Sequence, residues 1–252
     1  MPLEGKRIVL TGASGGIGRL LAGELLAEGA ALATIGRSGD RPAGVTWLQG
    51  DLSSIAGIEA AAKRAADFEP DILINLAGVQ YFGPFEDQEI ADIERTYLVD
   101  LVAPVVLSKG VLPGMKARKS GQIVNIGSIF GSISYAHFVT YSSAKAGLRA
   151  FSEALRRELR GSAIDVTYIA PRAVRAGLSR GRVLEFAKAS KMGMDEPLRV
   201  ARQIAAAISQ RRKDVYIGFP ESLFVRLNAL LPRAVDAALA GNDRKAAALF
   251  SR

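Results

Sequence analysis

Three side chains have the types and spacing for proton chemistry. Tyr141 and Lys145 lie four residues apart near the start of a helix-periodic stretch, so both project from one helix face. Ser128 follows an apolar, strand-like run over residues 122–126, which puts it at that strand's carboxyl end. A free tyrosine titrates near pH 10, too high for acid–base work near neutrality. An adjacent ammonium favours the phenolate, and a shift of about three units takes roughly 4 kcal/mol.

A second group of residues could hold the partner for that chemistry. The run Thr11-Gly12-Ala13-Ser14-Gly15-Gly16-Ile17-Gly18 follows apolar Ile8-Val9-Leu10 and opens a stretch with Leu20, Leu21 and Leu25 at helical spacing. Strand, glycine turn and helix together are the context of a dinucleotide-binding loop. Gly12 allows backbone angles closed to other residues, Gly16 lets a pyrophosphate approach, and Gly18 lets the helix pack close to the sheet. The helix N-terminus then offers unpaired N–H groups and a positive dipole end to phosphates.

Taken together, Thr11 to Gly18, Asn75-Leu76-Ala77-Gly78, Ser128 and Tyr141-Ser142-Ser143-Ala144-Lys145 resemble the short-chain dehydrogenase/reductase family in its single-domain form. The resemblance covers about residues 4–176. It implies that Tyr141 is the acid/base toward the substrate oxygen and that Ser128 steadies charge on that oxygen. Lys145 would hold the nicotinamide ribose and lower the Tyr141 pKa. A hydride would pass between substrate and nicotinamide, so the chemistry needs no metal. Asn75, Ala77 and Gly78 would support the central sheet and line the cofactor cleft, with Ser14, Gly15 and Ile17 in the phosphate loop. Asp51 and Leu52 would frame the adenine. Pro171 and Val174 would sit at the nicotinamide end.

Cofactor choice is read after the second strand, where NAD-preferring proteins place an acid. Here that place is Ile35-Gly36-Arg37-Ser38. Arg37 offers a forked, charged contact to a 2′-phosphate and Ser38 a further hydrogen bond. The cofactor expected is NADP(H) rather than NAD(H).

Three positions depart from the family pattern. Asp100 stands where a proton-relay asparagine is expected, and a carboxylate there alters the charge balance near Lys145. Pro171-Arg172 replaces a Pro-Gly pair, and Ala176 replaces a threonine that helps hold the carboxamide. These departures motivate a rival reading, a cofactor-binding regulator or scaffold with little turnover.

The elements that must position these residues alternate. Strands are expected at residues 6–10, 31–35, 45–48, 71–76, 122–126, 164–169 and 215–217. Helices are expected at 17–28, 53–68, 87–118 with a bend at Pro104, 141–160, 178–190, 197–210, 222–231 and 234–240. Alternation of this kind implies an α/β, Rossmann-like, doubly wound parallel sheet with helices on both faces. A chain of 252 residues without a linker reads as one domain, 1–252, in which 171–252 covers the substrate and ends in helices.

Composition sets the remaining bounds. The absence of cysteine excludes disulfides and cysteine-based zinc sites. No apolar run reaching about 20 residues is apparent, and no signal peptide is expected ahead of the first strand, so the expected location is cytoplasmic. Residues 1–170 carry 17 Lys and Arg against 18 Asp and Glu, whereas residues 171–252 carry 16 against 7. The net of −1 thus turns to +9, which points the last third toward an anionic partner. Candidates are an anionic substrate carrier met by Arg172, Arg175, Arg180 and Arg182, or a membrane surface met by 222–231 with Arg226, Arg233 and the run Arg211-Arg212-Lys213. Packing within the protein or on another subunit is favoured over peripheral membrane contact. The expected partners are a small carbonyl or alcohol substrate and copies of the chain in a homodimer or homotetramer, with no nucleic acid. Helix 141–160, with Leu148, Phe151, Ala154 and Leu155, is the expected subunit contact. His137, between Ser128 and Tyr141, and Phe82, Phe85, Phe130, Tyr135 and Phe138 are candidate pocket residues.

Overall fold

The computed structural model describes residues 3–39 and 41–251. Seven strands form one sheet: β1 Arg7–Thr11, β2 Ala31–Gly36, β3 Thr46–Gln49, β4 Ile72–Asn75, β5 Gly121–Ile126, β6 Ile164–Pro171 and β7 Asp214–Ile217. Every pairing is parallel and the order is β3-β2-β1-β4-β5-β6-β7, the doubly wound arrangement expected from the alternation.

Strand sequence explains why both faces are covered. Successive side chains in a strand point to opposite faces. Ile8 and Leu10 join one apolar layer with Ile72, Ile74, Val124, Ile126 and Ile169. Val9 joins the other with Leu73, Ile123 and Val166. Helices α1 (Gly16–Ala27) and α7 (Pro197–Ser209) cover the first layer through Leu21, Leu25, Val200, Ile204 and Ile208. The second is covered by α2 (Ile55–Asp67), whose Ser54 hydroxyl caps the Gly57 N–H, and by α4 (Ala103–Ala117).

The single helix expected over 87–118 is interrupted. It runs as α3 (Ile90–Tyr97), one π turn (Leu98–Val102), then α4. The irregularity ends just before Pro104, whose nitrogen cannot donate to the ladder, and it places Asp100 inside the widened turn. By length and composition Ile90–Ala117 is apolar enough to cross a membrane, which corrects the expectation that no such run exists. Half of it is buried in the protein, with Leu107, Val111 and Met115 in the second apolar layer.

Helix α5 (Val139–Glu158) follows β5, and α6 (Arg182–Ala189) begins four residues later than expected. The chain closes with α8 (Glu221–Leu230) and α9 (Pro232–Ala248). Helix α9 runs past Gly241 because Ala246 is buried against the aromatic cluster around Phe138 and Phe186.

Candidate active site

One cleft of about 420 Å³ crosses the carboxyl edge of the sheet. The loop after β1 forms its floor. Gly12 has φ +78°, and a Cβ there would lie 2.8 Å from the Ala77 nitrogen, so a side chain is excluded by both conformation and space. At Gly18 a Cβ would lie 2.0 Å from the Gly12 carbonyl oxygen, consistent with the close packing expected there. At Gly16, which lines the cleft, a Cβ would lie 2.8 Å from the Ala176 methyl. Thr11 ties this loop to β4, its hydroxyl accepting the Leu76 and Ala77 N–H groups, each at 3.0 Å. No side chain caps the start of α1, so its first N–H groups face the cleft without intrahelical acceptors.

The expected cofactor residues Gly12, Ser14, Gly15, Gly16, Ile17, Gly18, Arg37, Asp51, Leu52, Ala77, Gly78, Tyr141, Lys145, Pro171 and Val174 all line this cleft. Ser38 and Asn75 do not. Ser38 is exposed beyond the rim. Asn75 is buried beneath the floor, where its Nδ2 donates to Asn125 Oδ1 at 2.8 Å, and Asn125 donates to Ser152 of α5 at 2.9 Å. That chain of amides fixes β4, β5 and α5 relative to one another. Arg37 is exposed on the cleft wall and makes no ion pair among the described residues, so its guanidinium is open to an anion. Asp51 turns to Ser53, accepting from its hydroxyl at 2.7 Å and its N–H at 3.0 Å, and these bonds hold its carboxyl below the ordinary value. These residues fit an adenine dinucleotide: uncapped helix N–H groups face its phosphates across a side-chain-free turn.

At the other end of the cleft the proton-transfer residues meet. Ser128, Tyr141 and Lys145 are all buried in its wall. The Ser128 hydroxyl accepts the Phe130 N–H at 3.1 Å and hydrogen-bonds toward Tyr141. Lys145 Nζ donates to the Ile126 carbonyl at 3.2 Å and lies 5.7 Å from the Tyr141 ring centre. Asp100 does not line the cleft but stands directly behind Lys145, its Oδ2 3.1 Å from Nζ and its Oδ1 accepting the Val79 N–H at 2.7 Å.

This ion pair changes the electrostatics expected from tyrosine and lysine alone. Burial pushes the Tyr141 hydroxyl up, Lys145 pulls it down, and Asp100 pushes it up again. The lowering by Lys145 that the resemblance implies is present, but burial prevails and the net direction is above the ordinary value. Burial is the largest influence on Lys145 and favours the neutral amine, but Asp100 and Tyr141 together prevail, so the group is held as an ammonium with its pKa raised.

Segment 172–196 supplies a wall of the cleft, held by links that the sequence did not reveal. Arg172, the departure from Pro-Gly, grips Asp195 with two parallel bonds of 3.0 and 2.8 Å and reaches Glu221 at 2.9 Å. Backbone bonds between Arg175 N and Asp195 O and between Asp195 N and Ala173 O close the same link. Arg175 pairs with Glu196 at 2.7 Å, and the Arg182 guanidinium lies over the Phe250 ring at 5.1 Å. Of the four arginines expected to draw an anionic carrier, Arg180 alone has no contact of this kind among the described residues. The cleft wall here is apolar: Phe130, Phe138, Val183, Phe186, Met192 and Met194. The 3/4 spacing of Val183, Phe186 and Ala187 was the available sign that this helix packs inward.

Phe82 and Tyr135 form a second layer behind that wall, and Phe85 is exposed. His137 also lies outside the cleft, with φ +65° and its ring stacked on Phe250 at 5.2 Å.

Residues 6–184 match the family model described as short chain dehydrogenase. The chain is 34% identical to "Dehydrogenase/reductase SDR family member 7B" of Bos taurus, covering 94% of this chain and 81% of that protein. It is 30% identical to "3-oxoacyl-[acyl-carrier-protein] reductase FabG" of Vibrio harveyi, covering 89% and 94% respectively. Among solved structures, a short-chain dehydrogenase from Sphingobium yanoikuyae in complex with NADPH superposes with a TM-score of 0.78 at 26% identity, covering 93% of this chain and 95% of that one.

Proposed function

This chain belongs to the short-chain dehydrogenase family of oxidoreductases acting on CH–OH and C=O groups with NAD(P), and from that premise we propose that it uses NADP(H) on an apolar or acyl-type carbonyl. The observation that carries the reading is the two-ended cleft. Arg37 stands exposed at one end without an ion pair among the described residues, and Ser128, Tyr141 and Lys145 meet against an aromatic and methionine wall at the other.

In the proposed reaction the Tyr141 hydroxyl gives its proton to the substrate oxygen during reduction. Ser128 accepts from Phe130, and its O–H, directed toward Tyr141 in the free protein, turns to the same oxygen and steadies the charge developing there. Lys145 holds the cofactor ribose and, as an ammonium, offsets part of the burial that disfavours the phenolate. The bound nicotinamide supplies or accepts the hydride. Phe130, Phe138 and Phe186 exclude water and seat the apolar part of the substrate.

We place the protein in the cytoplasm as a homodimer or homotetramer joined through α5, whose Ala150 and Ala154 are exposed while Leu148 faces the core. In this proposal residues 1–252 act as one domain, with 171–252 as cover over the substrate. The NAD(P)-bound relatives support the cofactor class, and the FabG relative supports the acyl reading.

NADPH consumption against a panel of ketones and 3-oxoacyl thioesters tests the function. Turnover with an apolar or acyl member is the expected result. Tight NADPH binding with no turnover on any member would favour the regulator reading, which the Asp100–Lys145 pair motivates.

A further inference from the structure

We propose that the outward face of α8 docks on an anionic lipid bilayer. The helix presents two apolar faces. Val225 is buried against Ile129 and Ile133, and Asn228 Nδ2 donates to the Ser132 carbonyl at 2.8 Å, so that side anchors α8 to the segment that follows Ser128. On the opposite side Leu223, Leu227 and Leu230 recur at spacings of four and three, in one stripe. They are exposed, Leu230 to 77%, and the flanking Phe219 and Leu231 are exposed to 75% and 59%. Phe224 is exposed as well. Six large apolar side chains on one helix and its ends exceed the scattered exposure usual on a soluble surface.

Charge selects the occupant. Arg226 borders the stripe and Arg233 follows Leu231 by two residues; both are exposed and neither makes an ion pair among the described residues. The acid on α8 is already engaged, since Glu221 is bound to Arg172. On α9, Asp236 acts on Asp243, which in turn faces His137. A second copy seated α8 on α8 would bring like-charged arginines together with no free carboxylate on that helix to meet them. An anionic headgroup layer satisfies both arginines while the leucines and phenylalanines enter the acyl boundary, the geometry of an interfacial helix. Arg211, Arg212 and Lys213 take no part, which corrects their grouping with this helix in the sequence. They precede β7 and so lie at the opposite end of that strand from α8.

Docked this way, the protein holds the segment after Ser128 next to the lipid surface. This placement does not depend on which carbonyl the site reduces.

The test is co-sedimentation of the full chain with phosphatidylglycerol-containing vesicles and with pure phosphatidylcholine vesicles, at low and high salt. Pelleting with the anionic vesicles, reversed by salt, is expected. Arg226→Ser with Arg233→Ser should weaken it by roughly tenfold or more. Leu227→Glu with Leu230→Glu should abolish it while turnover of a water-soluble carbonyl, the circular dichroism spectrum and the oligomeric state stay unchanged. Protein left in the supernatant with anionic vesicles at low salt, or equal pelleting with both vesicle types, would overturn the proposal. A smaller assembly by light scattering for the Leu227→Glu, Leu230→Glu variant would overturn it too, by showing that another copy covers the face.

Discussion

Asp100 Oδ2 lies 3.1 Å from Lys145 Nζ, and both side chains are buried, Lys145 in the cleft wall and Asp100 behind it. The pair joins the π turn of the α3–α4 run to α5, across 45 positions of sequence. Its consequence for Tyr141 has a definite sign: a nearby carboxylate disfavours the phenolate and keeps the proton on the hydroxyl to higher pH. Reduction, which needs the protonated form, is therefore expected to persist into alkaline solution. Oxidation, which needs the base, is expected to rise with pH across that range.

Asp100→Asn is the direct probe. The amide keeps an acceptor for the Val79 N–H but removes the charge that opposes Tyr141 ionisation. The ascending limb of kcat/KM for oxidation, where Tyr141 loses its proton, should move to lower pH by about one unit. Stability should fall, by roughly 3 kcal/mol, because Lys145 loses its buried counter-ion. An unmoved limb in a folded variant would show that Asp100 does not act on Tyr141.

Arg37→Asp should weaken NADPH binding by roughly tenfold to a hundredfold, the worth of a charged hydrogen bond. The new carboxylate suits free ribose hydroxyls, so NADH should become the better of the two cofactors. Titration of both into the parent protein checks the premise; equal affinities there would contradict the assignment.

Arg172→Ala should leave Asp195 buried without its partner and loosen the segment carrying Val174 and Ala176. A stability loss of about 2–3 kcal/mol is expected by denaturant titration. KM should rise more than kcat falls, because the segment lines the cleft without touching Ser128 or Tyr141. Arg172→Lys should recover only part of the loss, since an ammonium cannot reproduce the forked bond to Asp195. Full recovery by lysine would contradict the geometry.

How much of this was legible in the sequence follows from the range of each interaction. Gly12, Gly18 and the Tyr141–Lys145 spacing act within one turn or helix, so residue order displays them. The alternation of strand-like and helix-like segments likewise announced a sheet covered on both faces. The links made by Arg172 span 23 residues to Asp195 and 49 to Glu221, and no local pattern encodes such pairing. The π turn at Leu98–Val102 was hidden for a related reason: apolar periodicity continues through it, and its position depends on packing around Asp100. The last helix, expected over 234–240, runs on to Ala248, where burial of Ala246 supplies packing that the local pattern does not show.

Light scattering at micromolar concentration should report a dimer or tetramer. A monomer would contradict the proposed contact through α5.

The central claim, that Tyr141 is the proton donor in NADPH-dependent carbonyl reduction, is tested most directly by Tyr141→Phe. The variant removes one hydroxyl oxygen from a side chain that otherwise packs near Phe130. NADPH consumption on the best carbonyl of the panel should fall at least about a hundredfold, the usual scale for losing a general acid. NADPH binding, followed by cofactor fluorescence, should stay within a few-fold of the parent. Turnover near the parent rate with the same pH profile would contradict the account.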